Sequence, residues 1–250
     1  MTNEPTIIIE PDVAGLAQKG AEIFSRSARK SVGAEGRFMV ALSGGSTPRD
    51  MHRLLAEEPF LSDIPWDRTD IFWVDDRCVP ENDPASNYGA ARQDFLDRIP
   101  IPRNRIHPMP AVLPPQEGAL MYQKELISSF QSGESDFPQF DLVFLGIGAD
   151  GHTASLFPGQ RALEEKSRLI IAVRGGNPNV SRLTMTFPLL NRAREIIFLV
   201  SGKKKAETVK TIIEYPEARL PAQEIQSMNG TLTWIMDRES ASMLSKEYFP

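Results

Sequence analysis

Short, continuous apolar segments alternate along the chain with longer segments whose apolar residues recur every three or four positions. Continuous apolar runs bounded by Gly, Pro or charged residues are typical of strands buried on both faces. They predict strands over 37–42, 70–74, 141–145, 168–173, 196–200 and 231–236. The three- and four-residue spacing predicts amphipathic helices over 12–32, 48–57, 87–98, 116–130 and 203–214, followed by a last helix near the C-terminus.

This alternation predicts an α/β fold. Strands separated by helices form βαβ units, in which the strands are parallel and the helices cover the sheet. We therefore expect a three-layer sandwich with a mostly parallel sheet and helices on both faces. The proline-rich stretch over 99–115 predicts irregular structure. No internal repeat or low-complexity linker divides the pattern, so we expect a single domain over 1–250.

Composition excludes several classes of protein. The chain has 28 Lys+Arg against 33 Asp+Glu, a net charge of −5, whereas a nucleic-acid binder needs a concentrated basic face. A single cysteine, Cys78, cannot form an internal disulfide or build a cysteine-based zinc site, and three histidines leave little for a metal centre. The apolar runs are too short to span a bilayer, and the first residues do not resemble a signal peptide. We expect a cytoplasmic protein.

A glycine-rich turn follows the strand predicted at 37–42. It consists of Ser43, Gly44, Gly45, Ser46 and Thr47. Thr47 can cap the next helix, and Pro48 suits the first turn of that helix. A helix N-terminus approached through glycines and hydroxyls is a ready site for an anion such as phosphate. The spacing is not that of a P-loop, so a plain strand–turn–helix connection remains the alternative.

A second glycine-rich segment follows the strand predicted at 141–145. The residues that match the dinucleotide fingerprint G-x-G-x-x-G are Gly146, Gly148 and Gly151. That fingerprint should open a long helix, but Pro158 and Gly159 follow too soon. We interpret the glycines as bending the chain so that Asp150 and His152 project into a cleft. A histidine there acts as a general base near neutral pH, oriented by the aspartate. A structural histidine, or a nicotinamide-dependent oxidoreductase, remains the alternative.

Charged residues follow the strand predicted at 70–74. Asp75 and Asp76 are neighbours, and neighbouring side chains on a strand point to opposite faces. We therefore expect one carboxylate in the cleft and the other in local hydrogen bonds. Arg77 can hold an anion or a developing oxyanion, or it can form an ion pair with a neighbouring Asp.

Three lysines, Lys203, Lys204 and Lys205, follow the strand predicted at 196–200. They reinforce phosphate binding at a helix start, or they are solvated residues of a helix surface. His52 falls inside a predicted helix and His107 among prolines, away from any strand end, so we expect surface or packing roles for both.

Together these stretches resemble the 6-phosphogluconolactonase family, within the wider group that includes glucosamine-6-phosphate isomerase/deaminase. The matching segments are ALSGGSTP (41–48), DIFWVDDRCVP (70–80), SNYG (86–89), FDLVFLGIGADGHTASLFPG (140–159), SRLTMTFPLLNRA (181–193) and FLVSGKKKAETV (198–209). The segment after the Asp-Gly-His triplet favours the lactonase branch over the deaminase branch.

The resemblance implies a Rossmann-like sheet, no metal or organic cofactor, and hydrolysis of 6-phospho-D-glucono-1,5-lactone, the second step of the pentose phosphate pathway. It implies that His152 is the catalytic base, that residues 43–47 bind phosphate, and that Arg77, Arg182 and Lys205 contact the substrate. The expected partner is thus a small molecule, with no nucleic acid and no membrane, and the expected assembly is a monomer or weak homo-oligomer.

Two alternatives share the same motifs. An isomerase or deaminase acting on amino-sugar phosphates would use Asp75 to move a proton between carbons. A non-catalytic sugar-phosphate sensor would need an output module, and the sequence contains no helix-turn-helix motif or basic patch.

Overall fold

Residues 4–133 and 137–249 are described by a computed structural model. The strands are β1 (Thr6–Glu10), β2 (Phe38–Leu42), β3 (Thr69–Trp73), β4 (Asp75–Arg77), β5 (Ile106–His107), β6 (Leu142–Leu145), β7 (Ile170–Gly175), β8 (Val180–Met185), β9 (Glu195–Val200) and β10 (Thr231–Asp237). The α-helices are α1 (Val13–Glu35), α2 (Pro48–Leu55), α3 (Phe60–Asp63), α4 (Asn87–Ala91), α5 (Pro115–Phe130), α6 (Phe187–Leu190), α7 (Ala206–Glu214) and α8 (Arg238–Ala241). Among them, no helix is both long and apolar enough to cross a membrane.

The main sheet is parallel throughout, in the order β1-β10-β9-β6-β2-β3-β5. The predicted mostly parallel α/β sheet, flanked by helices, is confirmed. From β2 the chain builds the sheet in one direction through β3 and β5, and from β6 it builds in the other through β9 and β10. The order therefore reverses between β2 and β6, and in open α/β sheets this switch point, at the carboxyl ends of the strands, is where ligands bind.

The core lies on both faces of the central strands. Every residue of β2 and of β6 is buried, which explains why their sequences are continuously apolar rather than alternating. The amphipathic α1 contributes Leu16 and Phe24 to this core. Its first turn is capped by Asp12, whose Oδ1 accepts a hydrogen bond from the N–H of Gly15 at 2.9 Å.

A second, antiparallel sheet of β4, β8 and β7 was not predicted. The charged Asp75–Arg77 segment has no apolar pattern, and in β8 an arginine interrupts the apolar residues. In this sheet Arg77 lies directly opposite Arg182, and Asp75 lies opposite Thr184. Strands β1 and β5 were also missed. β5 has only two residues and lies in the stretch 99–115, where the prolines predicted irregular structure.

Three predicted helices differ in detail. The helix predicted over 87–98 is α4 followed by a π-helical turn at Arg92–Leu96. The helix predicted over 203–214 begins with a 3₁₀ turn at Lys203–Lys205, and the C-terminal helix is the single turn α8. Further 3₁₀ turns lie at Trp66–Arg68, Arg103–Arg105, Arg161–Glu164, Pro216–Ala218, Pro221–Glu224 and Lys246–Tyr248.

Candidate active site

A cleft opens at the carboxyl edge of the main sheet, beside the switch point between β2 and β6. It is lined by Ser43, Gly44, Gly45, Ser46, Thr47, Pro48, Asp75, Arg77, Asn87, Gly146, Ile147, His152, Ala154, Arg182, Leu199, Val200, Ser201 and Lys205. All the site residues predicted from the sequence are in this lining except Asp150, which instead contacts His152. The fold thus brings together the ends of four strands that are far apart in the sequence.

His152 and Asp150 form a hydrogen-bonded pair within the loop that follows β6. Nδ1 of His152 lies 2.5 Å from Oδ1 of Asp150. Partial burial acts to raise the pKa of Asp150, but the charge and hydrogen bonds of His152 outweigh it, so this pKa lies below its ordinary value. The ionised carboxylate therefore accepts from Nδ1–H, and in the neutral ring Nε2 carries the free lone pair.

Gly148 lies directly beneath this pair. A Cβ atom at position 148 would be 2.0 Å from Nδ1 of His152 and 2.5 Å from Oδ1 of Asp150. The N–H of Gly148 also donates to the backbone carbonyl of His152 at 2.8 Å, and Gly151 has a φ of 79°. The loop therefore needs glycine for close approach at one position and for its left-handed backbone at another.

No helix follows this loop before the turn at Arg161–Glu164. The dinucleotide fingerprint formed by Gly146, Gly148 and Gly151 therefore lacks the helix whose N-terminus would face a pyrophosphate, as expected.

The loop 43–47 forms a second wall of the cleft and ends where α2 begins at Pro48. Gly45 has a φ of 99°, a conformation that favours glycine. One expectation is wrong: the Thr47 hydroxyl does not cap α2, because Thr47 itself has helical backbone angles. Its Oγ1 instead lies 3.1 Å from Oγ of Ser201, which links the loops after β2 and β9.

Of the three lysines after β9, Lys205 lines the cleft, whereas Lys203 and Lys204 are exposed. Burial lowers the pKa of Lys205, and the charge of Asp150 acts in the opposite direction. Of the three lysines that the sequence offered for phosphate binding, only Lys205 therefore lines the cleft.

The two adjacent carboxylates have the different surroundings that the sequence predicted. Asp76 faces away from the cleft and accepts hydrogen bonds from the N–H groups of Arg77 (2.8 Å), Asn87 (2.7 Å) and Tyr88 (3.1 Å). Burial nonetheless raises the pKa of Asp76 to about 6, because desolvation outweighs these donors. Asp76 therefore organises the start of α4.

Asp75 lines the cleft although only 5% of it is exposed. Its Oδ2 accepts a hydrogen bond from the buried hydroxyl of Ser155, and its Oδ1 lies 3.4 Å from Nδ2 of Asn87. Nη1 of Arg182 lies 4.0 Å from the same carboxylate. A buried carboxylate with these partners is fixed in position.

Two arginines face each other across β4 and β8. Nη1 of Arg77 donates to the carbonyl of Ala85 at 2.7 Å and to Oδ1 of Asn87 at 2.6 Å. Nε of Arg77 is buried and has no hydrogen-bond partner among the described residues. Arg182 donates from Nε to the carbonyl of Gly175 at 2.9 Å, and burial together with the charge of Arg77 lowers its pKa. Like charges directly opposite each other destabilise a strand pair, so this pair is suited to an anion bound between them.

Asn87 and Ser201 are cleft residues to which the sequence assigned no role. Ser201 directly follows a predicted strand, so its position at a strand end was a usable signal. Asn87 follows Ser86, the N-cap of α4, away from any strand end. Only its place in the SNYG segment pointed to it.

The other two histidines are buried and lie outside the cleft, so of the surface or packing roles expected for them the structure shows packing. His52 is 4% exposed and packs against Phe95 with ring centroids 4.9 Å apart. His107 stacks on Phe72 at 4.2 Å. Within the described residues, no group of three or more His, Cys, Asp or Glu side chains could hold a metal ion.

The fold and the cleft define a doubly wound α/β protein with a cationic, histidine-bearing site at its switch point. The model of the family described as glucosamine-6-phosphate isomerases/6-phosphogluconolactonase matches residues 11–234. The chain belongs to this family.

Relatives with lactonase names are similar over most of their length. A 6-phosphogluconolactonase of Synechocystis is 42% identical over 220 residues, which cover 86% of this chain and 88% of the relative. A 6-phosphogluconolactonase of Nostoc is 35% identical over 244 residues, covering 96% and 98%. The solved structure of the 6-phosphogluconolactonase from Trypanosoma cruzi superposes with a TM-score of 0.87 at 29% identity and covers 98% of each chain.

Proposed function

We propose that this chain hydrolyses 6-phospho-D-glucono-1,5-lactone to 6-phospho-D-gluconate, the second step of the oxidative pentose phosphate pathway. The observation that carries the proposal is that His152, hydrogen-bonded to Asp150, shares one cleft with the opposed Arg77 and Arg182. A base and a cationic surface are what hydrolysis of an anionic ester requires. The lactonase names of relatives at 42% and 35% identity support the same reaction.

In the proposed mechanism, the phosphate lies against residues 43–47 and Lys205. Nε2 of His152 takes a proton from water as the water oxygen bonds to the lactone carbonyl carbon. Arg77 stabilises the oxyanion that forms. The intermediate then collapses, the bond from this carbon to the ring oxygen breaks, and His152 returns the proton to that oxygen. General-base assistance of this kind contributes roughly 10²–10⁴-fold to the rate.

The test is a coupled assay with freshly generated lactone, with the spontaneous opening of the lactone subtracted. We expect the wild-type chain to accelerate hydrolysis and His152→Ala to lose roughly 10²–10⁴-fold in kcat. Lys205→Ala should raise KM, and Lys204→Ala is its matched control because Lys204 is exposed outside the cleft. Ammonia release from glucosamine 6-phosphate without lactone hydrolysis would instead assign the chain to the deaminase reaction and overturn the proposal.

We also propose a cytoplasmic location and a monomeric or weakly associating state. The single cysteine, which cannot form an internal disulfide, supports a reducing compartment. Some relatives carry chloroplastic names, so fractionation of the source cell is the direct test. Light scattering of the purified chain tests the assembly.

A further inference from the structure

Asn87 is the first residue of α4, and its side chain forms part of the cleft wall. The residue is 4% exposed, and its amide is held in one orientation by its neighbours. Oδ1 accepts a hydrogen bond from Nη1 of Arg77 at 2.6 Å, and Nδ2 donates to the backbone carbonyl of Asp75 at 2.8 Å. Nδ2 also lies 3.4 Å from Oδ1 of Asp75. A single amide therefore joins the cation of Arg77 to both the backbone and the carboxylate of Asp75.

The same amide packs against the backbone of the loop after β2. A Cβ atom at Gly44 would lie 1.8 Å from Oδ1 and 2.1 Å from Cγ of Asn87. Gly44 has no left-handed backbone conformation that would itself require glycine. The glycine at this position is therefore needed for the close approach of Asn87.

Asn87 is anchored from behind by a buried carboxylate. Asp76 accepts the N–H groups of Asn87 and Tyr88, and the Ser86 hydroxyl caps the same turn by accepting from the N–H of Gly89 at 3.0 Å. The start of α4 is thereby tied to β4, the strand that carries Asp75 and Arg77. Side chains supported in this way hold their neighbours within the narrow tolerances that catalysis needs.

We propose that Asn87 is a positioning residue, which fixes the guanidinium of Arg77 and the carboxylate of Asp75 relative to the loop 43–47. This inference rests on the proposed lactonase function, since it assigns Asn87 a part in that reaction. Nη1 of Arg77 has one other acceptor, the carbonyl of Ala85. Without the Asn87 amide, the guanidinium is held by that contact alone and loses its fixed orientation toward the reacting carbonyl.

Asparagine has the donor and the acceptor that this position requires. Aspartate would retain an acceptor for Arg77, but it would replace the Nδ2 donor with an oxygen beside the Asp75 carbonyl and carboxylate. Alanine would remove both contacts. We therefore expect Asn87→Asp and Asn87→Ala each to lower kcat by roughly 10–100-fold, with KM changing much less, because Arg77 acts mainly in the transition state.

Tyr88→Phe is the matched control for these variants. Tyr88 is the next residue of α4, half-buried and outside the cleft lining. Its substitution should leave kcat and KM at wild-type values. Thermal unfolding of every variant identifies any loss of activity that comes from loss of folding, and the near-isosteric Asn87→Asp keeps the test open if Asn87→Ala is unstable.

Two double-mutant cycles separate positioning from a general structural role. In an Arg77→Ala background, Asn87→Ala should lower kcat by less than about twofold, because the guanidinium that Asn87 positions is already absent. In an Asn87→Ala background, Gly44→Ala should lower kcat far less than it does in the wild-type chain. The Asn87 amide, which the new Cβ at position 44 would otherwise meet, is then absent.

Failure of this inference and failure of the proposed function give different results. A wild-type chain without lactone hydrolysis overturns the proposed function and, with it, the role of Asn87 in that reaction. A wild-type chain that hydrolyses the lactone, with additive costs of Asn87→Ala and Arg77→Ala, overturns the positioning role alone.

Discussion

Arg77 and Arg182 lie directly opposite each other on the antiparallel strands β4 and β8. Arg182 is 3% exposed and is held by the carbonyls of Gly175 and Pro178, while the ring of Phe157 lies 5.6 Å below its guanidinium. The fold thus fixes the buried cation of Arg182 beside the half-buried cation of Arg77. A dianionic substrate would offset the repulsion between them.

Arg182→Gln should therefore weaken use of the lactone. Loss of a charge-assisted contact costs about 1.5–3 kcal/mol, which corresponds to a fall in kcat/KM of roughly 10–150-fold. Steady-state kinetics measures it, and calorimetric titration with the product, 6-phosphogluconate, gives the loss in binding directly.

Arg174→Gln is the matched control for Arg182→Gln. Arg174 lies on β7 of the same sheet, is exposed, and does not line the cleft. Both variants remove one positive charge, so they change the net charge of the protein equally. An equal loss of kcat/KM in both would mean that long-range attraction, rather than the site of Arg182, determines binding.

Gly148→Ala should lower kcat by displacing His152, the proposed base. The new Cβ would lie 2.0 Å from Nδ1 of His152, so the imidazole must move away from Asp150. Displacement of a catalytic group by about 1 Å costs on the order of 10²-fold in rate. Gly146→Ala is the comparison within the same loop, because its Cβ would come no closer than 4.0 Å to the carbonyl of Leu199. Similar kcat values for the two variants would contradict the close-packing argument.

The central strands of the main sheet could be predicted from the sequence because they are buried on both faces. The apolar segments of β2 and β6 reflect that burial directly, and parallel strands bring their carboxyl ends to one edge. His152 was found for the same reason, since it follows a glycine-bent strand end.

The second sheet could not be predicted, because its pairing is not local. Nothing in the charged β4 segment indicates that Arg77 pairs with Arg182, far along the chain. Asn87 was missed for a related reason. Its place in the cleft depends on contacts with Gly44 and Arg77, which lie on other elements of the fold. The residues next to Asn87 in the sequence show no pattern that would predict these contacts.

His52 should make the fold sensitive to acid. Burial lowers its pKa to about 4, against the influence of Asp94, and its Nε2 is buried without a hydrogen-bond partner among the described residues. An unfolded histidine has a pKa of about 6.5. Between these values the unfolded chain binds more protons, so stability falls as the pH falls, by roughly 3 kcal/mol in all.

His52→Phe tests this dependence, because phenylalanine can retain the packing against Phe95 and cannot be protonated. Urea unfolding at pH 7 and at pH 4.5 gives the loss of stability for each chain. Between pH 7 and pH 4.5, we expect the free energy of unfolding to fall by about 2–3 kcal/mol less in His52→Phe than in the wild-type chain. Equal losses in the two chains would show that carboxylates alone account for the acid sensitivity.

His107 should act in the opposite direction. Burial acts to lower its pKa, but Asp70, 3.1 Å from Nε2, and Glu125, 2.7 Å from Nδ1, outweigh burial, so the pKa is raised. Only the imidazolium can donate to both carboxylates. The stabilisation is therefore complete below about pH 6.5 and is lost as the pH rises through the raised value. Arg105 also pairs with Asp70, at 2.8 Å.

His107→Gln should consequently reduce the free energy of unfolding more at pH 6 than at pH 9. Glutamine keeps one donor at this position but cannot carry the charge. Urea unfolding at the two pH values measures the difference, with His52→Phe as the comparison because its pH-dependent effect has the opposite sign. A cost of His107→Gln that is the same at both pH values would mean that stacking on Phe72 at 4.2 Å, rather than the charge shared with Asp70 and Glu125, is what His107 contributes to the fold.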